Sequence, residues 1–168
     1  MAEQNAYWFV AKTRHGAELG VRNRLTQLGV ENFVPTRTRR SSRGNGMVEE
    51  PLLTSFVFLH ATKVDALNLV HYCGVKASLV NDCTTHRLMF VSDKCMEDFR
   101  RVLEASIEEG GLMDKPLSVG EKVRVTQGAL KGVEGNVLEL QGRIYVVVGL
   151  LNCLFARARV PRAWLEKI

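Results

Sequence analysis

Apolar positions change period several times along this chain, and each change marks an element. Residues 7–11 (Tyr-Trp-Phe-Val-Ala) are aromatic and β-prone, and they predict a first, central strand. Ala17, Val21, Leu25 and Leu28 then recur at steps of four, four and three, one face of a helix that Gly29 stops. Glu18 and Arg22 read as a supporting i,i+4 pair on that helix. Residues 32–36 predict a short second strand. Residues 37–50 are polar, punctuated by Gly44-Asn45-Gly46, and predict a projecting loop or hairpin. Leu52 to His60 predicts a third strand with Phe56 and Phe58 on one face and Val57 and Leu59 on the other, buried on both sides. Thr62-Lys63-Val64-Asp65 opens a short helix carrying Leu67 and Val70, which Gly74 ends. Residues 75–80 and 87–91 are strand-like. Ser92-Asp93 caps a helix whose apolar face is Met96, Phe99, Leu103 and Ile107.

The order β-α-β-β-α-β-β-α is a split-βαβ, ferredoxin-like pattern. Residues 110–117 read as a linker, and beyond them the period becomes two. Val123 and Val125 alternate with Arg124 and Thr126, followed by strands over 133–140, 143–148 and about 156–160. Short strands separated by Gly turns predict a small β-barrel. The expected class is α+β, with a first domain over 1–109, a linker over 110–117 and a barrel over 118–168.

Composition narrows the class without naming a function. The 168 residues suffice for a real core, and 46% hydrophobic with 24% charged suits a soluble globular chain. No apolar stretch approaches the ~18 residues of a membrane span. The N-terminus lacks a basic, then apolar, secretory pattern, so a cytoplasmic location is expected. The net charge of +5 is unevenly spread: residues 1–115 hold 15 basic and 14 acidic residues, residues 116–168 hold 8 and 4. Arg37, Arg39, Arg40 and Arg43 fall within seven residues with no acid among them. Such a cluster serves equally as a solvated loop or as a field for a phosphate backbone.

Chemistry of the catalytic kind is missing from the pattern. Cys73, Cys83, Cys95 and Cys153 form no CxxC pair, and they read as reduced, mostly buried thiols. Cys73, Cys83 and His86 make an incomplete zinc set without a fourth ligand. His15, His60, His71 and His86 show no i,i+4 pairing, and no G-x-S-x-G elbow occurs. The Gly128-to-Gly132 segment lacks the Gly-Lys-Ser/Thr ending of a phosphate loop. Glu97 and Asp98 are expected on the solvated face of the last helix. Neither a catalytic residue, a metal nor a cofactor is expected.

The residues do carry a resemblance. Ser118 to Val137, with Val123, Val125, Gly128, Gly132 and Gly135, resembles a KOW motif, in which valines face a barrel core and the glycines allow tight turns. Trp8-Phe9-Val10, Gly16-Ala17-Glu18 and the helix to Leu28 resemble the start of the NusG N-terminal (NGN) domain. Residues 52–59 stand at that family's Phe-Pro-Gly-Tyr-Val-Phe-Val strand, and 91–99 resemble its later helix start. Thr54-Ser55 replaces the usual Pro-Gly, Leu53 stands where an aromatic is common, and the linker is short. These departures are similar to specialised paralogues such as RfaH and the UpxY antiterminators of capsular polysaccharide operons.

The resemblance implies an antitermination or elongation factor that binds the clamp helices of RNA polymerase and suppresses pausing and termination. Carried over by position, Trp8, Leu53, Phe56 and Phe58 would touch the clamp, each with core packing as its alternative role. Lys12, Arg14 and His15, extended by Arg22, suit the non-template DNA strand, with helix N-terminal amides adding a favourable field. Arg37, Arg39, Arg40 and Arg43 would reach upstream DNA or polymerase. The barrel would recruit a ribosomal protein or a termination factor, or remain masked or refold. The competing reading is an RNA- or ribosome-binding KOW adaptor acting off the polymerase, with Arg157, Arg159 and Arg162 toward RNA.

Overall fold

The computed structural model describes residues 5–106, 112–113, 120–150 and 154–168. The chain divides into two compact units, Met1–Val91 and Ser92–Ile168.

In the first unit the strands β1 (Tyr7–Thr13), β2 (Glu31–Phe33), β5 (Phe56–Ala61), β6 (Ala77–Leu79) and β7 (Phe90–Val91) form one antiparallel sheet in the order β2-β5-β1-β6, with β7 also on β1. β6 and β7 share one edge of β1: Ala11 to Thr13 pair with β6, while Trp8 and Phe9 pair with Val91 and Phe90. Helices α1 (Glu18–Gln27) and α2 (Lys63–Tyr72) pack on a single face of this sheet. Their core joins Val21, Leu25, Ala66 and Leu69 to Phe9, Ala11, Val57 and Leu59. Thr62 caps α2 as expected, its hydroxyl accepting from the Asp65 N–H at 3.2 Å and donating to the Asp65 carboxylate at 2.9 Å. The polar segment after β2 is a hairpin, β3 (Thr36–Arg40) with β4 (Met47–Pro51), paired from Thr36↔Pro51 to Arg40↔Met47.

This unit differs from expectation in strand bounds and in one ion pair; the predicted strand over 32–36 is divided between β2, which ends at Phe33, and β3, which starts at Thr36. The third predicted strand starts at Phe56 rather than Leu52, because Ser55 takes a positive φ of 70° and turns the chain just before it. Glu18 and Arg22 do not pair with each other. Glu18 is buried and accepts the Ser55 N–H at 2.7 Å, while Arg22 reaches across to Glu49. Each finds a better-placed partner, one a backbone donor and one a bidentate carboxylate.

The second unit contains β8 (Leu112–Met113), β9 (Lys122–Val125), β10 (Glu134–Leu140), β11 (Arg143–Leu150), β12 (Leu154–Arg159) and β13 (Leu165–Lys167). They make one antiparallel sheet in the order β13-β9-β10-β11-β12-β8, the strand-rich region expected of a KOW domain. Val123 and Val125 are buried while Lys122 and Arg124 face solvent, as the period of two requires. Gly128 and Gly132 have φ of +80° and +89°, so they are turn glycines. Gly135 is different: a Cβ there would lie 2.3 Å from the Val147 carbonyl oxygen, so close strand approach, not a turn, excludes a side chain.

Helix α3 (Asp93–Ser106) belongs by its contacts to this second unit and packs on β11 and β12, whereas the sequence pattern grouped it with the first domain. Ser92 caps it by accepting the Cys95 N–H at 3.2 Å, and Met96, Phe99, Val102 and Leu103 are buried. Ile107, expected on the same face, lies outside the described residues. Asp98, expected in solvent, is only 3% exposed. Its carboxylate accepts from Lys94 Nζ at 2.7 Å and from the Glu134 N–H at 3.2 Å, tying α3 to β10. Arg101 donates to the carbonyls of Ala129 and Lys131 at 2.8 and 2.9 Å, and the Cys95 thiol, pushed up by burial, points at the Gly149 carbonyl. A helix joined to a sheet by backbone-directed bonds behaves as part of that sheet's unit.

Candidate functional site

The first unit presents two adjoining features on the sheet face opposite α1 and α2. Alternation along β1 puts Trp8, Val10 and Lys12 on that face, and pairing sets them opposite His60, Phe58 and Phe56. β2 adds Phe33 opposite Phe58. The rings form a continuous apolar strip: Trp8 and His60 lie 5.1 Å apart between centroids, Phe33 and Phe58 6.2 Å. Trp8 and Phe58 are 4% and 1% exposed, whereas Leu53 and Phe56 are half-buried at the end where β5 begins. Of the four apolar residues the sequence singled out, only these last two keep accessible surface.

That strip ends in a cationic corner. Lys12, the last residue of the strip on β1, sits opposite Phe56 and Ser78. The chain then passes through exposed Arg14 and His15 to Gly16, whose φ of +85° turns it into α1. Glu18 locks this turn from beneath. Burial alone would raise its carboxyl, but the amides of Ser55, Glu18 and Gly16, with nearby His15, hold it below the ordinary carboxylate range. The corner includes one cation that chain position conceals. Thr13 Oγ1 donates to the Lys76 carbonyl at 3.0 Å, and Thr13 pairs with Ala77, so exposed Lys76 joins Lys12 and Arg14. A long-range pairing of β1 with β6 is the signal, and no local sequence feature announces it. Among the described residues Lys12, Arg14 and Lys76 have no carboxylate partner.

The hairpin arginines are disposed otherwise. Arg37 donates to Glu50 at 2.6 Å, Arg39 binds the other oxygen of the same carboxylate, and both arginines hold Glu50 below its ordinary range. Arg22 makes a bidentate pair with Glu49 at 2.6 and 3.0 Å, and Thr36 donates to the same group at 2.8 Å. Arg22 and then Thr36 pull the Glu49 carboxyl from 4.5 to about 2. Arg22, expected to extend the cationic corner, is therefore the tether of the hairpin base. Arg40 and Arg43, near the tip, remain exposed beside Met47 and Val48, which are themselves exposed.

Elsewhere the candidates separate. Cys73 is half-buried and Cys83 is exposed, not buried as expected, and Cys153 lies outside the described residues. In the second unit Arg157 lies 5.2 Å over the Tyr145 ring and Arg162 pairs with Glu139 at 3.3 Å. No helix among the described residues is long and apolar enough to cross a membrane.

A family model described as transcription termination factor nusG matches residues 6–100, more than half of the chain and nearly all of the sheet that bears the strip and the corner. The chain belongs to the NusG family. No curated protein matches it. Similar solved structures include Thermotoga maritima NusG, 19% identical, with 98% of each chain covered and a TM-score of 0.48. The MjSpt4:Spt5 complex is 15% identical over 96% of this chain and 97% of that one, with a TM-score of 0.29. At these scores family membership rests on the family model. NusG-family members are transcription factors.

Proposed function

We propose that this NusG-family chain is an antitermination factor that docks on the clamp helices of RNA polymerase and holds the displaced non-template DNA strand, suppressing pausing and termination in the manner of the specialised polysaccharide-operon antiterminators. One observation carries the reading. The apolar strip of the first unit runs into a cationic corner without carboxylate partners among the described residues, with Lys12 opposite Phe56 on the same sheet face. The accessible apolar end of the strip, Leu53 and Phe56, bordered by cations that lack carboxylates among the described residues, suits a factor that must touch polymerase and a phosphate chain together.

In this reading Phe56 and Leu53 start the polymerase contact from their accessible positions. Trp8 and Phe58, 4% and 1% exposed, take the alternative role of core packing beneath that contact. Lys12, Arg14 and Lys76 take phosphates, and His15 supplies a hydrogen bond or a stacking ring. The KOW unit is the handle for a ribosomal protein or a termination factor. An RNA-binding adaptor is less well supported, since Arg157 is occupied by a ring and Arg162 by a carboxylate.

The test is co-purification with core RNA polymerase. The native chain is expected to be retained, and Phe56→Asp, folded by circular dichroism, is expected to bind at least about tenfold more weakly, as for a central interface anchor. Tight binding to RNA with no retention by polymerase would overturn the proposal.

A further inference from the structure

At the end of β1 remote from the cationic corner, on the face that carries α1 and α2, the first unit has a cavity of about 390 Å³ lined by Tyr7, Phe9, Lys63, Arg87, Leu88 and Phe90. Its volume falls within the ~300–1,000 Å³ range of small-ligand sites. Three of its six walls are aromatic, and they are organised by strand pairing. Phe9 and Phe90 are direct neighbours on β1 and β7, so their rings stand on one side of the sheet, 6.5 Å apart and edge to face. Tyr7 packs on Phe90 from the other side at 4.8 Å.

Burial separates the roles of these rings. Phe9 is 3% exposed and anchors the sheet core, whereas Phe90 is 53% exposed. A large aromatic ring, fixed by two neighbours and still half in water, is an unfinished stack. The rim supplies charge of one sign. Lys63 is the first residue of α2 and Arg87 precedes β7; both are exposed, and neither has an ion-pair partner among the described residues. Among the described residues the lining includes no carboxylate.

These properties select among ligand classes. Two unpaired cations repel a cationic guest and exclude the quaternary-ammonium ligands that aromatic sites otherwise favour. An acidic peptide would satisfy the cations but has no flat face for Phe90. A nucleotide satisfies both: its base completes the stack on Phe90 and Tyr7, and its phosphates lie between Lys63 and Arg87. The base must be unpaired, since a duplex buries its faces.

We infer that this cavity is a base-stacking site for single-stranded nucleic acid, separate from the Lys12 corner. It takes one unstacked base against Phe90 and the flanking phosphates against Lys63 and Arg87. The inference does not depend on polymerase binding, and its test uses no polymerase.

The experiment measures binding of the full chain to fluorescein-labelled dT15 and rU15 by anisotropy over a salt series. It also maps photo-crosslinks from the same strands carrying 5-iodouracil. Crosslinks are expected at Phe90 or Tyr7. Phe90→Leu, which keeps the apolar volume, is expected to bind about tenfold more weakly, and Phe90→Tyr to retain native affinity, as loss and retention of one stacked base require. Lys63→Ala with Arg87→Ala is expected to lower the salt slope by about 1.4, two phosphates at ~0.7 each. Preference for dT15 or rU15 identifies which strand is taken. The inference is overturned if neither strand binds, or if Phe90→Leu binds as tightly as the native chain. It is equally overturned if crosslinks fall only around Lys12 and Arg14, or if a poly-glutamate peptide displaces the strand from native and Phe90→Leu protein alike.

Discussion

The cationic corner and the β3–β4 hairpin hold comparable numbers of basic residues, yet they present different fields. In the hairpin, Glu50 takes both Arg37 and Arg39, and Glu49 takes Arg22. In the corner the carboxylate at hand is Glu18, and it is buried and committed to the backbone amide of Ser55. Among the described residues no carboxylate pairs with Lys12, Arg14 or Lys76. A phosphate approaching the corner gains their attraction outright, whereas at the hairpin base it must compete with carboxylates already bound. Counting charges along the chain makes the hairpin the richer site. Pairing reverses that order.

The comparison breaks most forcefully at Glu18. Glu18→Ala removes the acceptor of the Ser55 N–H and leaves a buried donor unmet, at a cost of about 1–3 kcal/mol. Chemical denaturation should register that loss, and amide exchange should rise at Ser55. Glu18→Gln, which keeps an acceptor oxygen, should recover much of it. A native-like midpoint in Glu18→Ala would mean that the corner's turn is held by something else.

The hairpin pair gives a smaller effect. Arg22 and Glu49 are partly exposed, so their coupling in a double-mutant cycle is expected at ~0.2–1 kcal/mol. Its pH dependence has a definite sign. The carboxyl of Glu49 lies at about 2 in the folded chain against an ordinary 4.5, so the pair's contribution is complete above 4.5. It fades as pH falls from 4.5 toward 2. The coupling measured near pH 2.5 should be well below that at pH 7, and equal values at both would rule out an ionised pair.

Which parts of this were legible in the sequence follows from the range of the interactions concerned. Alternation at Phe56 to Leu59 and the four-residue steps of Val21 and Leu25 are local; they describe α1 almost to the residue and the body of β5, though not its start. The capping of α2 by Thr62 and of α3 by Ser92 is equally local. Lys76 reaches the corner only through the β1–β6 register, across more than sixty residues. Arg22 chooses Glu49 over Glu18 because the hairpin folds back to it, which helix spacing does not encode. Asp98 has the sequence surroundings of a solvated helix residue, and the long-range amide of Glu134 on β10, beside Lys94, gives its buried carboxylate a partner that helix spacing does not encode. Gly135 reads as one more turn glycine until the Val147 carbonyl is seen beside it.

The central claim is that the corner, not the carboxylate-paired arginines of the hairpin, carries the phosphate-binding charge outside the Phe90 cavity. It is tested by the salt dependence of dT15 binding in two variants of the full chain. Lys12→Ala/Arg14→Ala/Lys76→Ala is predicted to lower the slope of log K against log salt by about 2, three phosphates at ~0.7 each. Arg37→Ala/Arg39→Ala, which frees Glu50 as it removes two cations, is predicted to change that slope by less than about 0.7. A slope that collapses in the hairpin variant and survives in the corner variant would contradict the account.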